Sequence, residues 1–480
     1  MRDAGVDSRP RARAALPALL LLVAAMPACT LGPRYVKPEV PLPAAFSEAD
    51  PEAFDGGHAP ASALWHSFGD PVLDQLIDLA RAHNTTLGQA REQVNEARAL
   101  RGLEAFALLP TVTAAADRKT IKPSSRDPFS FPGIGKTTTF HAGFDASWEI
   151  DLFGGALSAR RVVRAQEAAA EATLEAARQS VVAEVAQAYF SLRAEQERLR
   201  VEVRNVANLG ENQSLLQARL DAGRGSDLDV LRSRALLLGA GARLPQTEAA
   251  ITRDEQRLAV LTVQPLVALR AVLGEPRPLP PMPALVAVGT PEAWLRRRPD
   301  VRASERRLAA ATAAVGIDAA AFLPTLTLLG GFGWTAQAAK DIGRQAAQRW
   351  SYGPSLSWSF LDVGRVRQHW RASKARAAGA VAAYQETVLR ALEETENGLA
   401  GYRAANHAAV TLGDAVAAAR EAAGRARVRF DAGAADVLTV LDAERSQLDL
   451  EDQLATAESQ RATALAALYK ALVGDFAATP

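Results

Sequence analysis

Side chains able to do chemistry are thinly spread along this chain. Its six histidines, His58, His66, His83, His141, His369 and His407, are too scattered for an H-x-x-x-H metal pair. No G-x-S-x-G nucleophile turn, P-loop or dinucleotide-binding glycine fingerprint occurs. The expectation is a protein with no catalytic residue, no bound metal and no cofactor beyond a covalent lipid. Four features remain to be explained. Cys29 is the only cysteine. Asp442 stands three residues after Thr439 and three before Arg445. By itself it reads as an acid near a helix start, favoured by the helix dipole or paired with Arg445 at i+3. Two short glycine-bearing turns hold Gly223, Gly225 and Asp227 in one place and Gly433 and Asp436 in another. The run Arg296-Arg297-Arg298-Pro299-Asp300 reads better as structure than as a basic patch, with Pro299 in a first helical turn, Asp300 beside the dipole and the arginines paired to neighbours.

Cys29 has a telling position. Arg2, Arg9, Arg11 and Arg13 form a basic start, residues 14–25 are apolar, and Met26-Pro27-Ala28-Cys29 follows. This is a secretory signal peptide over residues 1–28. One cysteine in an exported chain cannot form an internal disulfide. The arrangement resembles a bacterial lipobox, with Pro27 where a small or hydroxyl residue is usual, and makes Cys29 the acylated first residue of the mature protein. The plainer alternative is an ordinary signal peptide with a chance cysteine. Thr30, rather than Asp, at the next position implies sorting to the outer membrane, with an acyl anchor contributing about 0.8 kcal/mol per buried CH₂.

Composition narrows the partners. The 55 basic and 54 acidic residues leave a net charge of +1, which gives no basic excess for nucleic acid. Alanine-, leucine-, arginine- and glutamate-rich sequence with 6% aromatics favours long helices. Beyond the N-terminus no run of eighteen apolar residues predicts a spanning helix, though barrel strands remain open.

An internal repeat organises the chain. Leu109-Pro110-Thr111 returns as Leu323-Pro324-Thr325, Trp148 and Gly154 return as Trp358 and Gly364, and Arg219, Asp221 and Gly223 return as Arg429, Asp431 and Gly433. From Trp148 onward the offset is 210. The predicted layout is a segment 29–69, a first repeat 70–272, a linker 273–291, a second repeat 292–474 and a tail 475–480. Each repeat is expected to hold two strands and two long helices. The strands fall at about 111–119 and 140–152, then at about 325–335 and 352–361. The helices fall at about 156–222 and 227–272, then at about 364–432 and 437–473. The first helix of each pair lacks proline over about 65 residues, a rod of roughly 100 Å. Gly223 and Gly433 suit helix C-caps, and Ser226 and Asp436 suit the following N-caps, so each pair is a helical hairpin.

The strands alternate. Phe144, Ala146, Trp148 and Ile150 oppose Asp145, Ser147, Glu149 and Asp151; Leu326, Leu328, Phe332 and Trp334 oppose Thr325, Thr327, Gly331 and Gly333; Leu356, Trp358 and Phe360 oppose Ser355, Ser357 and Ser359. Stretches 121–136 and 334–349 read as the loops between them. The pattern suits a wall between lipid and water, or a soluble sheet over a core. Four strands cannot close a useful barrel, and open edges in lipid are forbidden, so a membrane reading requires several chains to share one barrel.

The stretches Trp65-x-x-Phe68-x-Asp70-Pro71, Trp148-Glu149-Ile150-Asp151-Leu152-Phe153-Gly154, Leu295-Arg296-Arg297-Arg298-Pro299-Asp300-Val301-Arg302, Phe322-Leu323-Pro324-Thr325, Val440-Leu441-Asp442-Ala443 and Leu468-Tyr469-Lys470-Ala471-Leu472 span nearly the whole mature chain. Together they resemble the outer membrane factor family, the TolC-like channels of tripartite efflux, in its lipoprotein branch. The resemblance implies a mainly α fold with a membrane β-barrel. A homotrimer would share one twelve-stranded β-barrel, four strands per chain, above a long α-helical barrel crossing the periplasm. A mixed α/β belt would draw on the N-terminal region, 273–291 and the C-terminus. A periplasmic adaptor (membrane fusion) protein and an inner-membrane RND-type pump would be the partners, docking at the tips formed by Gly223, Gly225, Asp227, Gly433 and Asp436, with outer-membrane lipid around the barrel.

In that family a carboxylate at the position of Asp442 rings the periplasmic mouth. Three carboxylates near a threefold axis repel one another and attract cations. Thr439 stands where some members carry a second acid, and Phe430 and Ala435 stand where members lock the tips with a tyrosine and an arginine. The closed mouth is therefore expected to lean on Asp442 with Arg445, Arg429 and Asp431. Two rival functions stay in view: a duct for a type I protein-secretion system, and a lipid-anchored periplasmic coiled-coil scaffold, which would not explain the repeated strands.

Overall fold

The computed structural model describes residues 31–51, 53–56, 65, 68–124, 126, 135–282 and 286–472. The expected signal peptide, Cys29, Thr30, His58 and His66 lie outside them. In chain order the elements are β1 Phe54–Asp55, α1 Pro71–His83, α2 Thr85–Phe106, β2 Thr111–Ile121, β3 Thr137–Ile150, α3 Gly155–Asp221, α4 Asp227–Gly241, α5 Leu244–Thr262, α6 Leu266–Leu273, β4 Val286–Ala287, α7 Pro291–Arg297, α8 Pro299–Ala320, β5 Thr325–Ala336, β6 Gln348–Ser357, α9 Val363–Asp431 and α10 Val437–Leu472. Among the described residues no single helix is long and apolar enough to cross a membrane.

The chain divides into two compact units, and neither is a repeat. The first comprises Met1–Pro38, Asn95–Ala168 and Glu305–Ala382, and the second Glu39–Val94, Ala169–Ser304 and Ala383–Pro480. Each unit thus draws on both copies. The physical reason lies in the strands: a lone two-stranded hairpin is marginally stable, so the hairpins of the two copies join one sheet.

That sheet lies in the first unit, together with parts of α2, α3, α8 and α9. Its order is β2-β3-β5-β6, antiparallel throughout. The register places Val112, Phe144, Phe332 and Trp350 on one face, with Trp148, Leu328 and Leu356. Thr113, Asp145, Gly331 and Ser351 lie on the other. Among the described residues nothing packs over the apolar face: Val112 is 62% exposed, Phe144 54%, Trp350 68% and Leu356 68%. A soluble sheet over a core would bury these side chains. The outer edges of β2 and β6 pair with nothing among the described residues.

Two expectations need correction here. Trp358 and Phe360 do not belong to β6, which ends at Ser357 and begins at Gln348. Ser357 pairs with Thr325, the first residue of β5, and the preceding Pro324 has no N–H to extend the ladder. Trp358 instead donates its indole N–H to the carbonyl of Phe322 at 3.1 Å, as its copy Trp148 does to Leu108 at 3.0 Å. The second loop is also shorter than 334–349, because β5 runs to Ala336.

In the second unit, the helix expected over 227–272 is three helices. Pro245 stands in the first turn of α5, and Val263, a left-handed residue with φ 55°, ends it before Pro265. Proline lacks the N–H and crowds the preceding turn, so neither junction continues a helix. By contrast α3 and α9, of 67 and 69 residues, are unbroken. Here β1 pairs in parallel with β4, Phe54 opposite Val286, joining the N-terminal region to the stretch 273–291. Around it Phe68 packs on Phe190 (5.1 Å) and Tyr469 (6.0 Å), and Trp294 donates to the carbonyl of Ala471 at 2.8 Å. Asp70 caps α1 by accepting from Val72 N at 2.9 Å. Arg298, almost fully buried, reaches Asp300 (2.7 Å), Glu394 (2.6 Å) and the Ala471 carbonyl (3.2 Å). Within the Arg296–Asp300 run, Arg298 and Asp300 have a structural role, while Arg296 and Arg297 are exposed and Arg296 pairs with Glu292 at 2.6 Å.

Candidate functional site

The tips lie in the second unit and are built by backbone geometry. α3 ends with Gly223 at φ 70°, where Gly223 N donates to Leu220 O (2.9 Å) and Arg224 N to Arg219 O (2.9 Å). α9 ends identically: Gly433 at φ 73°, Gly433 N to Phe430 O (3.0 Å) and Ala434 N to Arg429 O (2.8 Å). Both are Schellman motifs, which satisfy the last carbonyls of a helix and require a left-handed residue. Gly225 has a second constraint, since a Cβ there would sit 2.8 Å from Leu220 N.

The restart of each hairpin differs. Asp436 accepts hydrogen bonds from Leu438 N and, at 3.4 Å, from Thr439 N, so it caps α10. Ser226 occupies the equivalent position before α4 but makes no side-chain cap, and Asp227 and Asp229 place charge in that first turn. Across the tips, the Arg219 guanidinium lies 4.1 Å from the Phe430 ring centroid.

Asp442 is exposed, with 72% of its side chain accessible, and Arg445 approaches it only to 3.9 Å. Thr439, Asp442, Arg425 and Arg429 line one shallow groove between α9 and α10. Asp431 instead pairs with Arg427 at 4.0 Å. Of the expected mouth residues, then, Arg429, Thr439 and Asp442 share a groove, Arg445 flanks Asp442, and Asp431 lies outside the groove lining, near Arg427.

Sequence reasoning missed a polar ladder behind the second tip. In the layer nearer the tip, Asn212 donates to both oxygens of Glu444 at 2.7 Å, and Arg427 lies 3.5 Å from Glu444 and donates to Asn212. One heptad deeper, Glu451 accepts from Arg420 (2.7 Å), Gln447 (3.1 Å) and Asn205 (3.3 Å), with Arg204 at 3.7 Å. The layers titrate differently. Burial raises the Glu444 carboxyl above its ordinary value despite Asn212 and Arg427. Burial also acts on Glu451, but the hydrogen bonds from Arg420, Gln447 and Asn205 outweigh it and lower its pKa. The available signal was the sevenfold spacing of Asn205 and Asn212, Arg420 and Arg427, Glu444 and Glu451 along three helices.

Known proteins align with this arrangement over its length. The family model described as outer membrane efflux protein matches residues 76–262 and 290–474. Nodulation protein T of Rhizobium leguminosarum bv. viciae is 30% identical over 468 residues, covering 97% of this chain and 94% of that protein. The pyoverdine export outer membrane protein OpmQ of Pseudomonas putida is 31% identical over 438 residues, covering 89% and 91%. The solved structure of the outer-membrane channel OprN has a TM-score of 0.88 at 38% identity, covering 93% of this chain and all of that one (100%).

Proposed function

The chain belongs to the outer membrane efflux protein family, and we propose that it is the passive duct of a tripartite pump, working as a homotrimer. Each copy contributes β2, β3, β5 and β6 to one twelve-stranded barrel in the outer membrane, with Cys29 acylated and held in the same membrane. The long helices of three copies form the periplasmic tube. A periplasmic adaptor and an RND-type inner-membrane pump engage the tips at Gly223, Gly225, Asp227, Gly433 and Asp436. The pump supplies energy and selects the drugs or other small toxic molecules that pass. Three Asp442 carboxylates, with Thr439 and Arg445 beside them, narrow and charge the periplasmic mouth.

The observation that carries this reading is the sheet. It has an exposed apolar face and two open edges in one four-stranded piece. Open edges cost several kcal/mol per unsatisfied backbone group in lipid, and pairing β2 of one copy with β6 of the next removes them all. The test is electron microscopy and mass measurement on protein extracted from membranes with detergent. A trimeric tube well over 100 Å long with a detergent belt at one end is expected, since α3 alone spans about 100 Å. A monomer, or protein released by salt alone, would sink the duct. The mouth is tested separately: Asp442→Ala should raise single-channel conductance and antibiotic leakage, and unchanged values would remove Asp442 from that role.

A further inference from the structure

The starts of α3 and α9 are basic out of proportion to the chain, whose 55 basic and 54 acidic residues nearly cancel. α9 carries Arg365, Arg367, Arg371, Lys374 and Arg376 before its first acid, Glu386, and α3 carries Arg160, Arg161 and Arg164 before Glu167. The nearby acids are occupied: Glu167 by Arg98 and Arg101, Asp362 by Arg365, and Asp151 by the N–H of Leu157. Arg161, Arg164, Arg371 and Lys374 are exposed and have no ion-pair partner among the described residues. At the 210-residue offset Arg161 returns as Arg371 and Arg164 as Lys374, so both copies place a pair of cations near the start of the long helix.

These cations lie on the lipid-facing side. Trp148 stands on the apolar face of the sheet, opposite Leu328, and donates to the Leu108 carbonyl; Trp358 makes the matching bond to Phe322. The Phe322 ring packs edge-on against Trp370 at 6.2 Å, and the Lys374 ammonium lies 4.7 Å from the centre of the Trp370 ring. Contacts therefore run unbroken from the apolar face of the sheet to Lys374, which shares one face of α9 with Arg367 and Arg371. Between sheet and cations, Phe360 is 60% exposed, Leu361 87% and Val363 55%. Exposed aromatic and aliphatic side chains followed by cations mark a boundary between membrane and water. Helix geometry adds to this, because Cβ atoms tilt toward the helix N-terminus and the long basic side chains lean back toward the sheet. Arg371 begins about 12 Å beyond Val363 along the helix, and a side chain leaning back covers about half of that, which brings its charge to a headgroup layer roughly 5–8 Å deep. On α3, Arg161 and Arg34 line a cavity of about 410 Å³ bounded by α8 and residues 31–35, room enough for a phosphoglycerol head.

We infer that Arg161, Arg164, Arg371 and Lys374 form a collar that binds the headgroups of anionic phospholipid, in the leaflet where the strands pass into the long helices. The phosphate takes the place of the missing acids, and the arginines meet it with paired N–H donors. The collar rests on the barrel reading above, since the sheet must lie in the membrane for these cations to meet its surface.

The test is electron paramagnetic resonance on the full-length protein in vesicles of dioleoylphosphatidylcholine, with a trace of spin-labelled phosphatidylglycerol or spin-labelled phosphatidylcholine. The fraction of each label slowed by the protein gives the relative affinity of the two lipids for its surface. Phosphatidylglycerol is expected to be preferred about fivefold or more, the factor that one cation near a membrane surface supplies, and added salt should erode the preference. Arg161→Gln, Arg164→Gln, Arg371→Gln and Lys374→Gln combined should bring the two lipids to parity. Exchanging the three arginines for lysine keeps the charge and should keep most of the preference, which separates loss of a headgroup site from damage to the fold. Equal slowing of both lipids by the parent protein overturns the collar, as does an undiminished preference in the glutamine variant. So does loss of the preference on Arg118→Gln, at the far end of β2, or loss of the trimer in the glutamine variant, which would place the cations against a neighbouring copy. If neither lipid is slowed, the strands lie outside the bilayer and the barrel reading falls together with the collar.

Discussion

The two hairpin tips share a backbone and several side chains, Arg219 with Arg429 and Asp221 with Asp431 among them, and differ chiefly in the polar groups of the helix that follows. Both close with the same pair of hydrogen bonds around a left-handed glycine, Gly223 or Gly433. At the 210-residue offset, however, Leu220 faces Phe430, Ser226 faces Asp436, Asp229 faces Thr439, Arg232 faces Asp442, Arg234 faces Glu444 and Gly241 faces Glu451. Charge has been inverted at two of these positions. The turn is fixed by main-chain donors and acceptors, which tolerate any side chain that permits the angle. The side chains outward of the turn were free to diverge, and the carboxylates gathered on the second hairpin. Duplication supplied the scaffold, and the asymmetry between the copies carries the proposed role of the mouth.

The largest expected effect separates the hairpins outright. Glu451→Ala leaves Arg420, Gln447 and Asn205 without their buried acceptor; Arg420 is half exposed and rehydrates, so the cost is about 2–3 kcal/mol. Hydrogen exchange should rise across α10 while α4, which has glycine at the matching position, keeps its protection. Equal loosening of both helices would mean the ladder does not belong to the second hairpin. Next in size come Gly223→Ala and Gly433→Ala. Each forces a Cβ into the left-handed region at about 1–2 kcal/mol, and because the turns match, the two losses in chemical unfolding should agree. A difference beyond about 0.5 kcal/mol, the usual additivity error, would break the claim of a shared turn.

Much of this was legible from residue patterns. Proline-free runs gave α3 and α9, Gly223 and Gly433 gave the turns, and period-two alternation gave the strand faces later seen in the register. The misreadings share a cause. A single helix over 227–272 overlooks Pro245 and Pro265, where local backbone chemistry starts and stops helices. Trp358 looked like a strand residue by alternation, but the ladder ends where its partner strand runs out at Thr325. The two repeats are plain in the sequence, and what the sequence did not show is that their hairpins join one sheet. At the site, Gly223, Gly433 and Asp436 were readable, while Arg219 over Phe430 and the Asn–Glu–Arg ladder depend on helices hundreds of residues apart. Sequence spacing along one helix cannot say which other helix lies opposite.

Smaller effects sharpen the comparison at its caps. Asp436→Ala removes two hydrogen bonds from the start of α10 and should cost about 1 kcal/mol, whereas Ser226→Ala removes no side-chain cap and should be near neutral. Equal losses would show that Ser226 caps α4 in solution.

The smallest effect lies within the second hairpin, between its two glutamates. Glu444 has a raised pKa, so the folded protein holds that proton more tightly than the unfolded chain, and its contribution to stability grows as pH falls through the folded value. Glu451 has a lowered pKa, so its contribution is present above the ordinary value near 4.5 and is lost as pH falls through the folded one. Ionisation is disfavoured by the fold at Glu444 and favoured at Glu451. Glu444→Gln should therefore raise the melting midpoint at pH 7 and Glu451→Gln should lower it, with both differences shrinking toward pH 4. Shifts of the same sign at pH 7 would mean that the two layers act as one buried network rather than as a tight lower rung and a strained rung beside the tip.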